Sequence, residues 1–334
     1  MKLVLPSMKK TSRVAGSMKA ALLLALAALS ISVVAGCGAT PTTDKSPSPT
    51  PQANTVYPVT ATDLLGRPVQ ISKKPVSIVT LLPTATETLY TVGGVAVGRD
   101  SSSKYPPEVA NLPAVGSAYN PSVESVAALK PDLIIIEALS QERLIAPLEK
   151  LGAPVIAVRA ATVDDVYSSL VLVGKVIDRN KTAADAVAQI KSRFETIKKS
   201  TRTGRSVLIL ISDANRNIYA AKNASYPGTL AGVLGQVNPA AGIPDSGPYP
   251  GFGLLSGEQA ISMQPDVILT ISPAPAPAPK LSDTLVGVPG YGQLAAVKNG
   301  KVKELDPVLF LQAQGPRIAD AAEQMAKILN EVAP

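Results

Sequence analysis

The sequence predicts an α/β protein with two similar lobes, each built on a mainly parallel sheet, joined by a long rigid helix. Short apolar runs alternate with helical stretches in both halves, which is typical of βαβ units. Residues 162–200 contain no proline and one glycine, Gly174, and their apolar residues recur at helical steps of three and four. A repeated pattern of serine, glutamate, proline and aspartate occurs once on each side of this helix. We therefore predict an N-terminal lobe at 56–161, a linking helix at 162–202 and a C-terminal lobe at 203–334.

The N-terminal lobe is predicted to open with a hairpin over residues 59–71, with Gly66 near its turn. Glycines stand directly after two helical stretches, where they end helices. The apolar and helical runs predict strands at 76–82, 95–98, 132–136 and 154–158 and helices at 84–92 and 141–151.

The linking helix has one predicted breaking point, at Asp178-Arg179-Asn180. After it the alternation of strands and helices starts again, as expected for a second lobe. The runs there predict strands at 206–211, 267–271 and 301–305 and helices at 228–234 and 317–332.

An internal repeat is the most informative feature of the chain. In each copy the serine suits a helix N-cap, the glutamate lies in the first turn, and the proline stops the helix before a strand. Two equivalent lobes are the simplest explanation; the alternative is a common capped helix found twice by chance. The copies lie 134 residues apart and read S-x-E-x₆-P-D before an apolar run: Ser122-Val-Glu124 with Pro131-Asp132, and Ser256-Gly-Glu258 with Pro265-Asp266.

The first 55 residues are predicted to direct and anchor the protein. Residues 1–19 carry five basic residues and no acidic one, and the uncharged run at 20–35 suits a signal peptide better than a membrane span. The run ends in Val34-Ala35-Gly36-Cys37, which resembles the bacterial lipobox. We predict a lipoprotein signal peptide at 1–36, acylation of Cys37, and a flexible tether at 37–55 that holds the protein on the outer face of the cell membrane. A short membrane helix with a buried thiol is the alternative.

Composition excludes several classes of function. The 32 Lys and Arg against 25 Asp and Glu give a net charge of +7, but beyond the first 36 residues it is only +2, with no concentrated basic run. A nucleic-acid partner is therefore not expected. The chain has no histidine and one cysteine, which rules out disulfides within the chain, Cys/His zinc sites and catalysis by histidine. No catalytic residue, metal ligand or cofactor is predicted.

Several segments together resemble the helix-linked (class III) substrate-binding lipoproteins of ABC importers, the group that serves ferric siderophores, haem and cobalamin. The resemblance implies a ligand cleft between the lobes, a monomeric binding protein, and an ABC permease dimer with its ATPase subunits as partner. It covers residues 59–332 and rests on the order and spacing of LPTATE at 82–87, VGRD at 97–100 with YPPE at 105–108, VG at 115–116 with the residues 120–132, AAVKNGKV at 295–302, and GPR at 315–317.

The resemblance also implies a docking site. In this family a glutamate on each lobe meets arginines of the two permease subunits, and by position these glutamates are Glu124 and Glu258. One carboxylate per lobe, on matching helix starts, suits a two-fold symmetric partner. The alternative is that each glutamate only complements a helix dipole. Glu87 is assigned a structural role.

Most of the few aromatic residues fall in loops predicted at the carboxyl ends of strands, where open α/β sheets bind ligands. Arginine beside tyrosine suits a large anionic chelate, because the guanidinium holds the anion while the rings cover apolar surface. For each residue, packing within its own lobe is the alternative. The predicted ligand contacts are Tyr119, Phe252, Phe310, Arg99, Tyr249, Tyr219 and Arg216.

A ferric siderophore is the leading predicted ligand, and a corrinoid such as cobalamin is the alternative. Cobalamin binders of this group place large aromatics in the loops that hold Ala118 and Ala138 here, which disfavours cobalamin without excluding it. Without histidine, haem could be ligated only through tyrosine, and bare zinc or manganese is disfavoured. The alternatives from other classes are a surface-anchored hydrolase, with Glu137 and Asp213 as its carboxylate pair, and an adhesin.

Overall fold

The computed structural model describes residues 56–274 and 277–332. All of these described residues belong to one compact unit. The predicted signal peptide, Cys37 and the whole 37–55 tether lie outside the described residues. Among the helices that the structure describes, none combines the length and apolar content needed to cross a membrane.

The N-terminal lobe contains a sheet of four parallel strands, in the order β4 (Gly98–Arg99), β3 (Ile78–Thr80), β7 (Leu133–Glu137) and β8 (Val155–Val158). Every residue of β7 and β8 is buried, which shows that both faces of the sheet are covered there. The predicted hairpin is confirmed, and Gly66 takes a φ of 80° in its turn. The elements are β1 (Val59–Thr62), β2 (Pro68–Ile71), β3 (Ile78–Thr80), α1 (Pro83–Thr91), β4 (Gly98–Arg99), β5 (Gly116–Ser117), β6 (Asn120–Pro121), α2 (Val123–Ala128), β7 (Leu133–Glu137), α3 (Ala138–Gln141), α4 (Ile145–Glu149) and β8 (Val155–Val158).

The linking segment consists of two helices, α5 (Val163–Val176) and α6 (Asn180–Ser200), so the break predicted at residues 178–180 is present. Asp178 has a φ of 57°, which interrupts the helical path. The two helices pack closely where Gly174 faces Ala183. The link between the lobes is therefore a packed helical pair rather than one continuous rod.

The C-terminal lobe contains a five-stranded sheet, in the order β11 (Phe252–Leu254), β10 (Ile218–Ala221), β9 (Val207–Ser212), β12 (Val267–Ile271) and β13 (Val302–Leu305). Strands β9, β12 and β13 are parallel, whereas β10 is antiparallel to both of its neighbours. The elements are β9 (Val207–Ser212), β10 (Ile218–Ala221), α7 (Tyr226–Val233), β11 (Phe252–Leu254), α8 (Gly257–Met263), β12 (Val267–Ile271), α9 (Leu281–Thr284), α10 (Ala295–Lys298), β13 (Val302–Leu305) and α11 (Ile318–Glu331).

Strands β10 and β11 correct the sequence analysis, which placed their residues in loops. Tyr219 lies on β10 and Phe252 on β11, and both side chains are buried. The two strands have only four and three residues, which is too short for an alternating pattern to stand out.

One hydrophobic cluster extends from the N-terminal lobe through the helical pair into the C-terminal lobe. It includes Leu89 of α1, Leu170 of α5, Phe194 of α6 and Met325 of α11. The outer faces of the two sheets have separate clusters of their own. The lobes therefore share a core at their helical side.

The internal repeat corresponds to equivalent structure at the start of α2 and α8. The hydroxyl of Ser122 accepts a hydrogen bond of 3.1 Å from the backbone N–H of Ser125, and that of Ser256 accepts one of 3.2 Å from Gln259. Both serines are therefore N-caps, as the sequence predicted.

The repeat is equally regular at the end of each helix. Lys130 and Gln264, which are equivalent positions, both adopt a left-handed backbone, with φ of 47° and 45°. The aspartates that follow accept hydrogen bonds of 2.8 Å from the N–H groups of Ser77 and Ser206, just before β3 and β9. Each copy thus fixes its strand to the neighbouring strand of the same lobe, which supports two equivalent halves.

Candidate functional site at the seam of the lobes

The two lobes contact each other near the carboxyl edges of their sheets. Helix α1 begins just after β3, and its Thr84 hydroxyl donates a hydrogen bond of 2.7 Å to the carbonyl of Gln314, beyond the end of β13. One turn later, Glu87 accepts hydrogen bonds of 2.7 and 2.9 Å from the guanidinium of Arg317. We call the surface around these four residues the seam. Because α/β sheets bind ligands beyond their carboxyl edges, the seam marks the candidate site.

The ion pair at the seam joins a buried carboxylate to a partly buried guanidinium. Glu87 is only 2% exposed. Burial raises the pKa of its carboxyl group, and the hydrogen bonds and charge of Arg317 oppose that rise. The Glu87 carboxylate raises the pKa of Arg317, and the Tyr105 ring centre lies 4.4 Å from the guanidinium carbon. Glu87 thus has a structural role, which is to join the lobes.

Two large side chains are unusually exposed at the carboxyl edge of the N-terminal lobe. Tyr119, in the turn between β5 and β6, is 66% exposed, and Leu139, on α3 directly after β7, is 65% exposed. Each follows a buried alanine, Ala118 or Ala138. The two loops therefore carry a small alanine at one position and an exposed large side chain at the next.

The loops that carry Tyr119 and Leu139 are fastened to each other by hydrogen bonds. The side-chain amide of Gln141 donates to the carbonyls of Ala118 and Leu81, and the guanidinium of Arg143 donates to the carbonyl of Tyr119. Gln141 is fully buried, whereas Arg143 is exposed. Neither residue is among the ligand contacts predicted from sequence, and nothing in their own segment indicates these hydrogen-bond partners.

Three of the predicted ligand contacts form an aromatic cluster in the C-terminal lobe. The ring centroids of Tyr219 and Tyr249 are 5.8 Å apart, and those of Tyr249 and Phe252 are 6.0 Å apart, both with edge-to-face geometry. Tyr219 donates a hydrogen bond of 2.9 Å to Asp213, which raises the pKa of the tyrosine. Tyr249 is partly buried and donates to the carbonyl of Ser212. The cluster packs largely within its own lobe.

The other predicted contacts differ sharply in exposure. Phe310 is fully buried. Arg99 is also buried, and its guanidinium donates to the carbonyls of Val109, Asp100 and Ala110, so it holds its own loop in place. Arg216 is exposed at the turn between β9 and β10, with a φ of 64°, and forms no ion pair with a described residue. A role in ligand binding stays a prediction for all seven residues.

The carboxylate pair considered for hydrolysis is occupied by local hydrogen bonds. Glu137 accepts from the N–H groups of Leu139 and Ser140 and so caps α3. Asp213 accepts from Asn215 and Asn217, and these bonds lower its pKa. Within the ranges that the structure describes, no group of three or more acidic or cysteine side chains is arranged to hold a metal ion.

Glu124 and Glu258 occupy matching places on the two lobes. Each lies in the first turn of its helix, two residues after the capping serine, and each is exposed. Glu124 accepts a hydrogen bond of 3.1 Å from Ser122. Neither carboxylate forms an ion pair with another described residue, so both are accessible to a partner.

Comparison with known proteins gives consistent matches over most of the chain. A family model described as periplasmic binding protein matches residues 78–309. An uncharacterized ABC transporter substrate-binding lipoprotein, YvrC of Bacillus subtilis (strain 168), is 31% identical over 287 residues, which are 83% of this chain and 87% of the relative. The vitamin B12-binding protein of Vibrio cholerae (strain ATCC 39541) is 26% identical over 76% of this chain and 88% of the relative.

The fold has close counterparts among solved structures. The petrobactin-binding protein YclQ from Bacillus subtilis matches with a TM-score of 0.69 and 23% identity, covering 82% of this chain and 97% of that one. At this identity the likeness establishes the architecture of two α/β lobes. Proteins of the matched family are not enzymes, and they act outside the cytoplasm. The chain therefore belongs to the periplasmic binding protein family and is a substrate-binding protein of an ABC transporter.

Proposed function

We propose that the protein captures a large metal chelate at the seam, with a corrinoid of the vitamin B12 type as the first candidate. The observation that carries this proposal is the pair of exposed side chains, Tyr119 and Leu139, at the carboxyl edge beside the seam. Leu254 and Val308, which end β11 and follow β13, are also exposed at the carboxyl edge of the other lobe. Apolar surface on both sides suits a broad ligand that each lobe partly covers.

The sequence relatives support the corrinoid over the siderophore that the sequence analysis favoured. The matched proteins of Vibrio cholerae and Halobacterium salinarum are named as vitamin B12- or cobalamin-binding. A ferric siderophore stays the second candidate, because Arg143 and Arg216 place positive charge at the carboxyl edges. Such charge would favour an anionic chelate.

The ligand prediction is tested by calorimetric titration of the purified protein with vitamin B12 and with ferric Desferal. We expect vitamin B12 to bind and to raise the melting temperature. Changing Tyr119→Ser together with Leu139→Ser should weaken binding at least about tenfold, since apolar surface is lost. Val76→Ser with Val95→Ser is the matched control, because these valines are 76% and 66% exposed just before β3 and β4, at the amino edge.

The outcomes separate the two ligand classes. Binding of ferric Desferal without vitamin B12 would make the siderophore the ligand. Full affinity in the Tyr119 and Leu139 variant would show that the proposed surface is not the ligand site. If neither compound binds, the proposed ligand class is wrong.

We also propose that an acylated Cys37 anchors the protein to the outer face of the membrane through the 37–55 tether. The lipobox-like residues before Cys37 support this, and the matched YvrC is named as a lipoprotein. Several buried acyl chains hold a protein firmly on a bilayer. We expect Cys37→Ala to move the protein from the membrane pellet to the soluble fraction; retention in the pellet would contradict the anchor.

The docking proposal assigns Glu124 and Glu258 to the two permease subunits. It is supported by their exposure, by their lack of ion-pair partners among the described residues, and by the equivalent structure of the two helix starts. Arginine binds an exposed carboxylate through paired hydrogen bonds, so one such contact per lobe would fix the orientation of the protein on its partner.

A further inference from the structure

Gln141 is a buried polar residue whose side chain forms hydrogen bonds to the end of β7 and to two other segments at the carboxyl edge. Its side-chain oxygen accepts a hydrogen bond of 2.9 Å from the N–H of Glu137, at the end of β7. Its side-chain nitrogen donates a hydrogen bond of 2.6 Å to the carbonyl of Leu81, just after β3. The same nitrogen also donates to the carbonyl of Ala118. One side chain therefore ties together three segments that are far apart in sequence.

The 116–121 hairpin is joined to its lobe at its base, where the N–H of Ser101 donates a hydrogen bond of 2.8 Å to the carbonyl of Gly116. The hairpin formed by β5 and β6 has two residues in each strand, and so short a hairpin is marginal by itself. The Tyr119 side chain is mostly exposed and contributes little packing. Two neighbouring carbonyls of the turn, those of Ala118 and Tyr119, are held by Gln141 and Arg143.

We propose that Gln141 is a positioning residue of the ligand site, which fixes the 116–121 hairpin so that Tyr119 is presented to the ligand already ordered. The inference rests on the proposed function, since it takes Tyr119 to contact the ligand. A loop that is ordered before binding does not lose its conformational freedom when the ligand arrives, so affinity is higher. Glutamine is suited to this task because it offers both a donor for the carbonyls and an acceptor for the N–H.

The variant that tests the proposal is Gln141→Met, which keeps a similar volume and removes the hydrogen bonds. Gln236→Met is the matched control. Gln236 is also buried, and its side-chain nitrogen donates to the carbonyls of Arg202 and Leu234. It lies at the amino end of β9, away from the seam. Both variants lose two bonds to carbonyls, but only the first touches the proposed site.

The binding experiment is a double-mutant cycle with vitamin B12 and ferric Desferal as probes. Gln141→Met should lower affinity for the bound probe about tenfold, and Gln236→Met should leave it unchanged. In a Tyr119→Ala background, Gln141→Met should cause no further loss, because its effect passes through the tyrosine. An equal loss in both backgrounds, or none in either, overturns the inference.

Hydrogen exchange of the unliganded protein separates this inference from the proposed function. Backbone amides of the 116–121 hairpin should exchange faster in Gln141→Met than in wild type or in Gln236→Met. Unchanged exchange there overturns the positioning role whatever the probes do. If wild type binds neither probe, the proposed ligand class is overturned, and Gln141 is then judged by the exchange result alone.

Discussion

Two buried tyrosines of the C-terminal lobe differ in whether their hydroxyl groups are hydrogen bonded. The Tyr291 hydroxyl donates a hydrogen bond of 2.8 Å to the carbonyl of Leu255. The Tyr226 hydroxyl approaches the N–H of Gly315 but forms no hydrogen bond of normal geometry with any described residue. Burial raises the pKa of both hydroxyls, so both stay protonated in the folded protein.

The two tyrosines should respond differently to removal of the hydroxyl. Tyr291→Phe should lower the free energy of unfolding by about 1–3 kcal/mol, because the buried carbonyl of Leu255 loses its donor. Tyr226→Phe should be neutral or slightly stabilising, since no hydrogen bond is lost. Urea denaturation of both variants measures this; a larger loss for Tyr226→Phe would contradict the assignment.

At the residue scale, the sequence predicted the roles that depend on near neighbours. The capping serines and the first-turn glutamates followed from spacing within one helix. The partner of Glu87 is 230 residues away, and the carbonyls that hold Arg99 are fixed by the fold of its loop. Such contacts leave no periodic signal, so Arg317, Gln141 and Tyr105 were not predicted as site residues.

At the scale of elements, the contact between α5 and α6 depends on one glycine. A Cβ at Gly174 would lie 2.4 Å from the Cβ of Ala183 and 3.1 Å from the carbonyl oxygen of Arg179. These atoms belong to the turn and first residues of the next helix, so they have little freedom to move. The absent side chain is what allows the helical pair to pack.

Gly174→Ala should therefore destabilise the protein by about 1–3 kcal/mol, because forced separation of the helices outweighs the gain in helix propensity. Gly232→Ala is the control. Gly232 lies in α7 with open space around its Cα, so alanine there should stabilise by about 0.5–1 kcal/mol. Chemical denaturation gives both values. A stabilised Gly174→Ala protein would mean that the helices do not pack as described.

The elements that the sequence predicted are those with a long or repeated pattern. The opening hairpin, the buried strands β7, β9 and β12, and the closing helix α11 all follow from hydrophobic periodicity and turn residues. The short strands β10 and β11 do not, because their pairing depends on neighbours rather than on local pattern.

At the scale of the whole molecule, the repeated halves present one exposed glutamate each. Glu124→Arg combined with Glu258→Arg should abolish uptake into cells while leaving ligand affinity unchanged, because arginine would repel the arginines expected on the permease. Glu195→Arg with Glu331→Arg makes the same charge change at exposed positions on α6 and α11 and serves as the control. Normal uptake by the first variant would refute the docking assignment.

The core that runs through both lobes and the Glu87–Arg317 pair restrict how far the lobes can swing apart. Wide opening would break this pair and expose part of the shared apolar core to water, and both effects oppose it. The permease would then meet nearly the same docking surface on the ligand-free and the ligand-bound protein. Ligand-free protein would then compete with ligand-bound protein for the permease. An excess of binding protein over ligand would therefore slow import.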